Sequence, residues 1–328
     1  MTPDVTLHRK LNEASRRIRL LLVSRWTARA LCWTAAWDMT RTAELAATGY
    51  IGLVLDGIGA ESDITVVETL HENLRQAVER FVDPVNADRA TEAVTGAARH
   101  RLLTAPAGSD TQLAWARLFA RLAGGDADLD LIESLVTGVT TVDGLAVDAD
   151  LRWTLVAALA RGGRLDADGI AAEAARDQTT AGGQYAAGAL AARPLAEAKE
   201  AAWASVIDRD DLPNRTQEKI IGMSRRDVAG VGMLQPTQVE LLRPYAWRYF
   251  DVVGALWAGR TTEIARTVVT GLYPRYLIEQ ETVDRTDAYL AHADVPPALR
   301  RILLEGRDDV VRALAARTLD QQRPGTSA

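Results

Sequence analysis

The sequence predicts a fold made of helices alone, and three observations carry that prediction. Apolar residues recur at steps of three and four almost everywhere, the spacing that lines one face of a helix. No stretch sustains the two-residue alternation and β-branched enrichment of a half-buried strand. The composition is rich in alanine, the best helix former and one that lets helices approach closely. Roughly fifteen segments of about 10–20 residues follow, joined by short turns rich in Gly, Asp and Pro. Short consecutive helices with brief antiparallel connections predict a stacked array: an all-α, curved α-solenoid of HEAT/armadillo-like helix pairs. Because no strict period is visible, a globular all-α bundle is the alternative.

Taken in order, residues 1–27 read as a lead-in helix carrying Arg9, Lys10, Arg16, Arg17 and Arg19 before a short Leu20–Val23 apolar stretch. A secretory signal needs a longer apolar region and a small-residue cleavage site, and Asp4 and Glu13 count against an organelle presequence. Gly57 and Gly59 read as a helix C-cap and turn, with the next helix starting near Ser62. Ile64, Val67, Leu70, Leu74, Ala77 and Phe81 then share one helical face. Trp115, Leu118, Phe119 and Leu122 do the same between a capping box at Ser109 and Gln112 and a left-handed stop at Gly124–Gly125. Another helix starts after Asp150, runs through Leu151, Leu155 and Leu159, and ends at Gly162–Gly163. A single helical-repeat domain over 28–319 and a frayed tail over 320–328 complete the expected organisation.

The 328 residues include four histidines and one cysteine, which removes much chemistry at once. Cys32 alone can form neither an internal disulfide nor a cysteine-based zinc site, and its place between Leu31 and Trp33 predicts a buried structural thiol. The balance of 38 basic to 44 acidic residues, net charge −6, argues against nucleic-acid or anionic-membrane binding. No apolar run approaches the roughly 18–20 residues needed to span a bilayer, and a cytoplasmic location is the default.

Local motifs that carry chemistry fail on inspection. His71-Glu72-Asn73-Leu74-Arg75 has the start of a His-Glu-x-x-His zinc helix, but Arg75 is a permanent cation and cannot ligate a metal. His8, His100 and His292 are scattered without ligand spacing, so His71 reads as a polar residue flanking an apolar stripe. Gly57-x-Gly59 lacks a third glycine and a leading strand, and Ser224 follows Gly222 but has Arg226 where a nucleophile elbow needs glycine. Asp126, Asp128 and Asp130 alternate like a calcium loop yet lack its glycine and closing glutamate. They read as helix-capping, solvated acids. The eight tryptophans all fall inside helical patterns, where packing between helices is the expected role.

Five strings in order are more specific: Arg29-Ala-Leu-Cys-Trp-Thr-Ala-Ala-Trp-Asp-Met-Thr-Arg41, Gly108-Ser-Asp-Thr-Gln-Leu-Ala-Trp-Ala-Arg117, Leu212-Pro-Asn-Arg-Thr-Gln-Glu218, Gly271-Leu-Tyr-Pro274 and Gln280-Glu-Thr-Val-Asp-Arg-Thr-Asp287. Together, from about Ala28 to about Leu319, they resemble the C-terminal helical domain of actinobacterial aminopeptidase N. That zinc aminopeptidase family also includes the endoplasmic-reticulum aminopeptidases. The resemblance implies an all-helical, bowl-shaped solenoid that caps a catalytic domain and encloses a peptide cavity. The zinc ligands, glutamate base and Gly-x-Met-Glu-Asn motif belong to the family's upstream catalytic domain. No position here matches them, since Met223 and Met233 are followed by Ser224 and Leu234.

The expectation is therefore a chain with no catalytic, metal or cofactor-binding residue of its own, with zinc only in a catalytic partner domain. Its peptide-contacting residues stay unassigned. The partners implied are that catalytic domain, upstream or separately encoded, and peptide. Residues 1–27 depart from the family pattern, and Gly222–Met233 reads as an insertion of roughly ten residues forming a flexible inter-helix loop. Both features fit a truncated or diverged gene. A free-standing scaffold that binds peptide or protein without any role in proteolysis is the rival reading.

Overall fold

The computed structural model describes residues 26–223, 232–292 and 294–322. Among these residues there are fifteen α-helices and no strand, as the apolar spacing predicts. They fall into two compact units: the residues up to His100 together with those from Arg312, and Arg101–Val311.

The first unit contains α1 (Trp26–Arg41), α2 (Ala47–Gly57), a 3-10 turn (Ile58–Ala60) and α3 (Ile64–Gln76). A wide π-helical turn (Ala77–Phe81) and a second 3-10 turn (Pro84–Asn86) lead into α4 (Ala87–Thr104). The stripe predicted from Ile64 to Phe81 is real. Val67, Leu70, Leu74, Ala77 and Phe81 are buried, although the last five residues widen into the π turn. His71 is buried beside them rather than flanking the stripe. Arg75 bridges Glu72 and Glu79 one turn to either side, so the zinc-like string is an ion-pair ladder along a helix. The Trp37 ring lies 5.2 Å from Tyr50 and 5.6 Å, edge-on, from Phe81.

The second unit continues with α5 (Asp110–Leu122), α6 (Asp126–Thr137), α7 (Ala149–Arg161), α8 (Ala167–Arg176), α9 (Thr180–Ala192) and α10 (Ala196–Ile207). Then come α11 (Asn214–Ile221), α12 (Val239–Gly259), α13 (Thr262–Leu272), α14 (Gln280–Leu290) and α15 (Pro297–Gln321), whose final turns belong to the first unit. Helices α5, α7, α9, α11 and α13 pack each on the next, while α6, α8, α10 and α12 lie against them. Composition permits this crowding. Buried Gly182, Ala186, Gly188, Ala189, Ala191 and Ala192 make α9 slim enough to touch α7, α8, α10 and α11 together.

Helix ends expose four carbonyls each, and here side chains from other helices satisfy several of them. Arg161 donates to the carbonyls of Ala120, Arg121 and Ala123 at the end of α5. Arg152 reaches Val136 O (2.8 Å) on α6, Arg260 reaches Ile207 O (2.6 Å) on α10, and Arg300 reaches Leu290 O (2.8 Å) on α14. A guanidinium forks to adjacent carbonyls and stays charged, which lysine does less well. Lys10, Lys199 and Lys219 are indeed the only lysines among 38 basic residues.

Several boundaries differ from expectation. Ser109 Oγ accepts from Gln112 N (3.1 Å), but Gln112 Oε1 reaches back to Gly108 N (2.9 Å), one residue beyond an ordinary capping box. Helix α5 stops by an extended turn at Ala123, not by a left-handed glycine, and Gly125 is already the N-cap of α6. The helix expected after Asp150 begins at Ala149, because Asp148 caps it through Leu151 N (2.9 Å), while Gly163 supplies the left-handed stop at φ +74°. Cys32 is half-exposed rather than buried, since the inward position beside it is taken by Trp33. The last helix runs to Gln321, past the point where fraying is expected. Ser224 and most of the expected insertion lie outside the described residues. The described residues on either side of 224–231 meet: Met233 N donates to Ile220 O (2.7 Å) and Leu234 N to Ile221 O (3.2 Å).

Candidate functional site

The second turns of α7, α9 and α11 bring aromatic and charged groups into one stripe. Trp153, Tyr185 and Lys219 each lie five or six residues into their helices, and the packing of these helices makes them neighbours. Trp153 on α7 stacks on Tyr185 of α9, with ring centroids 6.0 Å apart and planes inclined by 24°. Lys219 on α11 places its ammonium 4.6 Å from the centre of the Tyr185 ring, a cation–π distance. Trp153, 3% exposed, and Lys219 are buried, whereas Tyr185 is half-buried and presents its hydroxyl to the edge.

Carboxylates line that edge. Trp153 Nε1 donates to Asp177 Oδ2 at 2.8 Å, and Tyr185 OH donates to Asp150 Oδ1 at 3.3 Å. Hydrogen bonds from Thr179 first, and then from Trp153, hold the Asp177 carboxyl below the usual carboxylate range. Behind the stripe, Arg152 forms a bidentate pair with Glu173 (2.7 and 2.6 Å), which lowers the Glu173 pKa. Lys199 lies apart from the stripe. It is fully buried on α10, with Nζ 2.7 Å from Ala191 O at the end of α9, and burial pushes its pKa down to about 7.

Trp153 and Lys219 already cover the Tyr185 ring, so the stripe is packed core and what it offers a ligand is its edge, the Tyr185 hydroxyl with the Asp150 and Asp177 carboxylates. No nucleophile–base pair lies in it, and among the described residues no group of three or more His, Cys, Asp and Glu could hold a metal ion. The other residues weighed in the sequence are dispersed. His71 and Arg75 are on α3, Cys32 is on α1, and Asp126 and Asp130 pair with Arg164 at 2.8 and 3.2 Å. Asp128, between them, is buried at the start of α6. All eight tryptophans lie in helices as expected, and Trp33, Trp115, Trp153 and Trp203 are buried. Sequence reasoning missed the stripe because Tyr185 and Lys219 sit 34 positions apart. The only available signal was their shared place in the second turn of alternate helices.

Comparison with known proteins agrees with this architecture. The family model of the ERAP1-like C-terminal domain matches residues 20–312, so residues 20–27, expected to depart from the family pattern, fall within it. Aminopeptidase N of Streptomyces lividans is 47% identical over 292 residues, 89% of this chain and 33% of that protein. The chain thus spans about a third of the length of this relative. A match over most of the chain, joined to an all-helical fold, decides the affiliation. The chain belongs to the ERAP1-like C-terminal domain family of the aminopeptidase N proteins.

Proposed function

We propose that this chain acts as the non-catalytic C-terminal helical domain of an aminopeptidase N-type zinc metallopeptidase, working in the cytoplasm. It caps a catalytic domain, provided in cis or in trans, and shapes the chamber that holds peptide as a curved, bowl-like solenoid wall. The observation that carries this reading is the family match over residues 20–312. The succession of helices packed each on the next supports the idea of a wall. No helix among the described residues is long and apolar enough to cross a membrane.

The mechanism asked of such a wall is modest. Contacts made away from the scissile bond orient the peptide amino terminus, and that binding energy lowers the barrier only through the geometry it imposes. The zinc and its activated water would be supplied by the catalytic domain. The purified chain is expected to hydrolyse no aminoacyl chromogenic substrate and to bind no stoichiometric zinc. Added to an aminopeptidase N catalytic domain lacking its own C-terminal part, it is expected to raise kcat/KM for peptides more than for single aminoacyl substrates. Tightly bound zinc with peptidase activity in the chain alone would sink the reading. Peptide binding with no effect on any catalytic domain would favour a free-standing scaffold instead.

A further inference from the structure

Helix α2 starts behind Ala46, a residue with no side-chain cap to offer, whereas α3, α5, α7, α8 and α9 are capped by their own Asp63, Ser109, Asp148, Asp166 and Thr179. Its missing acceptor comes from the far end of the chain. Asp320, in the last turn of α15, receives Thr48 N and Thr48 Oγ1 on Oδ1, both at 2.8 Å. Its Oδ2 receives Asp83 N and Asn86 Nδ2, both at 3.0 Å, at the 3-10 turn Pro84–Asn86. Asn86 Nδ2 also reaches the Asp320 carbonyl at 3.2 Å, and one turn earlier Arg317 Nε donates to Arg80 O (3.0 Å) in the π turn. Asp320 is fully buried.

We propose that the last turns of α15 form a strap that latches the first unit, with the Asp320 carboxylate as the bolt. Two backbone amides, a hydroxyl and a carboxamide converge on it, and the N-terminus of α2 adds its favourable dipole. All of these partners are in the same unit as Asp320, 234 to 272 positions away in sequence. No local signal links them, and the family match ends at residue 312, before both Arg317 and Asp320. With the strap seated, the start of α2 and the Pro84–Asn86 turn are held closed. Without it, buried donors lose their acceptor and these two segments open locally while residues 101–311 stay folded.

Amide hydrogen exchange on the full chain tests it. In Asp320→Asn an amide replaces the oxygen facing Asp83 N and Asn86 Nδ2, setting donor against donor. Exchange in segments 46–54 and 82–88 is expected to accelerate about tenfold or more, with segments 150–161 and 182–192 unchanged. Asn86→Ala removes one donor and is expected to give a smaller acceleration at the same two places, which keeps the test available if Asp320→Asn folds poorly. Unchanged exchange in 46–54 and 82–88, or equal acceleration along the whole chain in both variants, would overturn the proposal.

Discussion

At the scale of single residues, the charges placed inside the protein are the most informative. Lys199 is fully buried with one carbonyl partner, and burial lowers its pKa to about 7 from an ordinary 10.5. The unfolded chain therefore binds more protons than the folded one between those values. The penalty is full below about pH 7 and fades as pH rises toward the unfolded value, so this group makes stability increase with pH. Urea unfolding from pH 6.5 to 9.5 should show that rise, on the order of a few kcal/mol at most, and Lys199→Met should flatten it. An equal slope in the variant would refute this account of Lys199. Arg161 is the opposite case, a half-buried cation used to finish another helix. Arg161→Ala should cost about 2 kcal/mol, read as a lower melting temperature, with Arg161→Lys recovering only part because an ammonium cannot fork to three carbonyls.

At the scale of helices and loops, close approach decides what is tolerated. A Cβ on Gly306 of α15 would stand 2.7 Å from the Tyr273 ring, which is itself buried and hydrogen-bonded to Thr286 (2.8 Å). Gly306→Ala should therefore destabilise by about 1–3 kcal/mol despite alanine's better helix propensity, a balance that thermal melts can measure. The opposite is expected at residues 224–231, because the described residues on either side already meet through Met233 N to Ile220 O. Replacing residues 224–231 by a short Gly-Ser link should change unfolding free energy by less than about 1 kcal/mol, since loop closure depends weakly on length. A larger loss would mean that the segment contributes packing of its own. Among the described residues helix existence was legible, while ends were less so. Asp148, not Asp150, starts α7, because either aspartate satisfies the spacing and only the bond to Leu151 N chooses between them.

At the scale of the whole molecule, net charge −6 argues against binding to phosphate backbones, and among the described residues ion pairs disperse the basic groups over many helices. The chain should flow unretarded through heparin or duplex-DNA resin at about 50 mM salt, and salt-dependent retention would contradict that reading. The five ordered strings were enough to identify the family, because residues such as Trp33, Trp115 and Tyr273 are held by packing that few substitutions satisfy. The candidate stripe and the strap were not legible. By itself the sequence determined the helical class, the burial of most apolar stripes and the family, since these depend on spacing within a turn or two and on strings of neighbouring residues. Only the tertiary structure decided that Lys219 meets Tyr185, that arginines cap helices other than their own, and that Asp320 caps α2. Those pairings join residues up to 272 positions apart, and a hydrogen bond or ring contact leaves no mark in local periodicity at either partner.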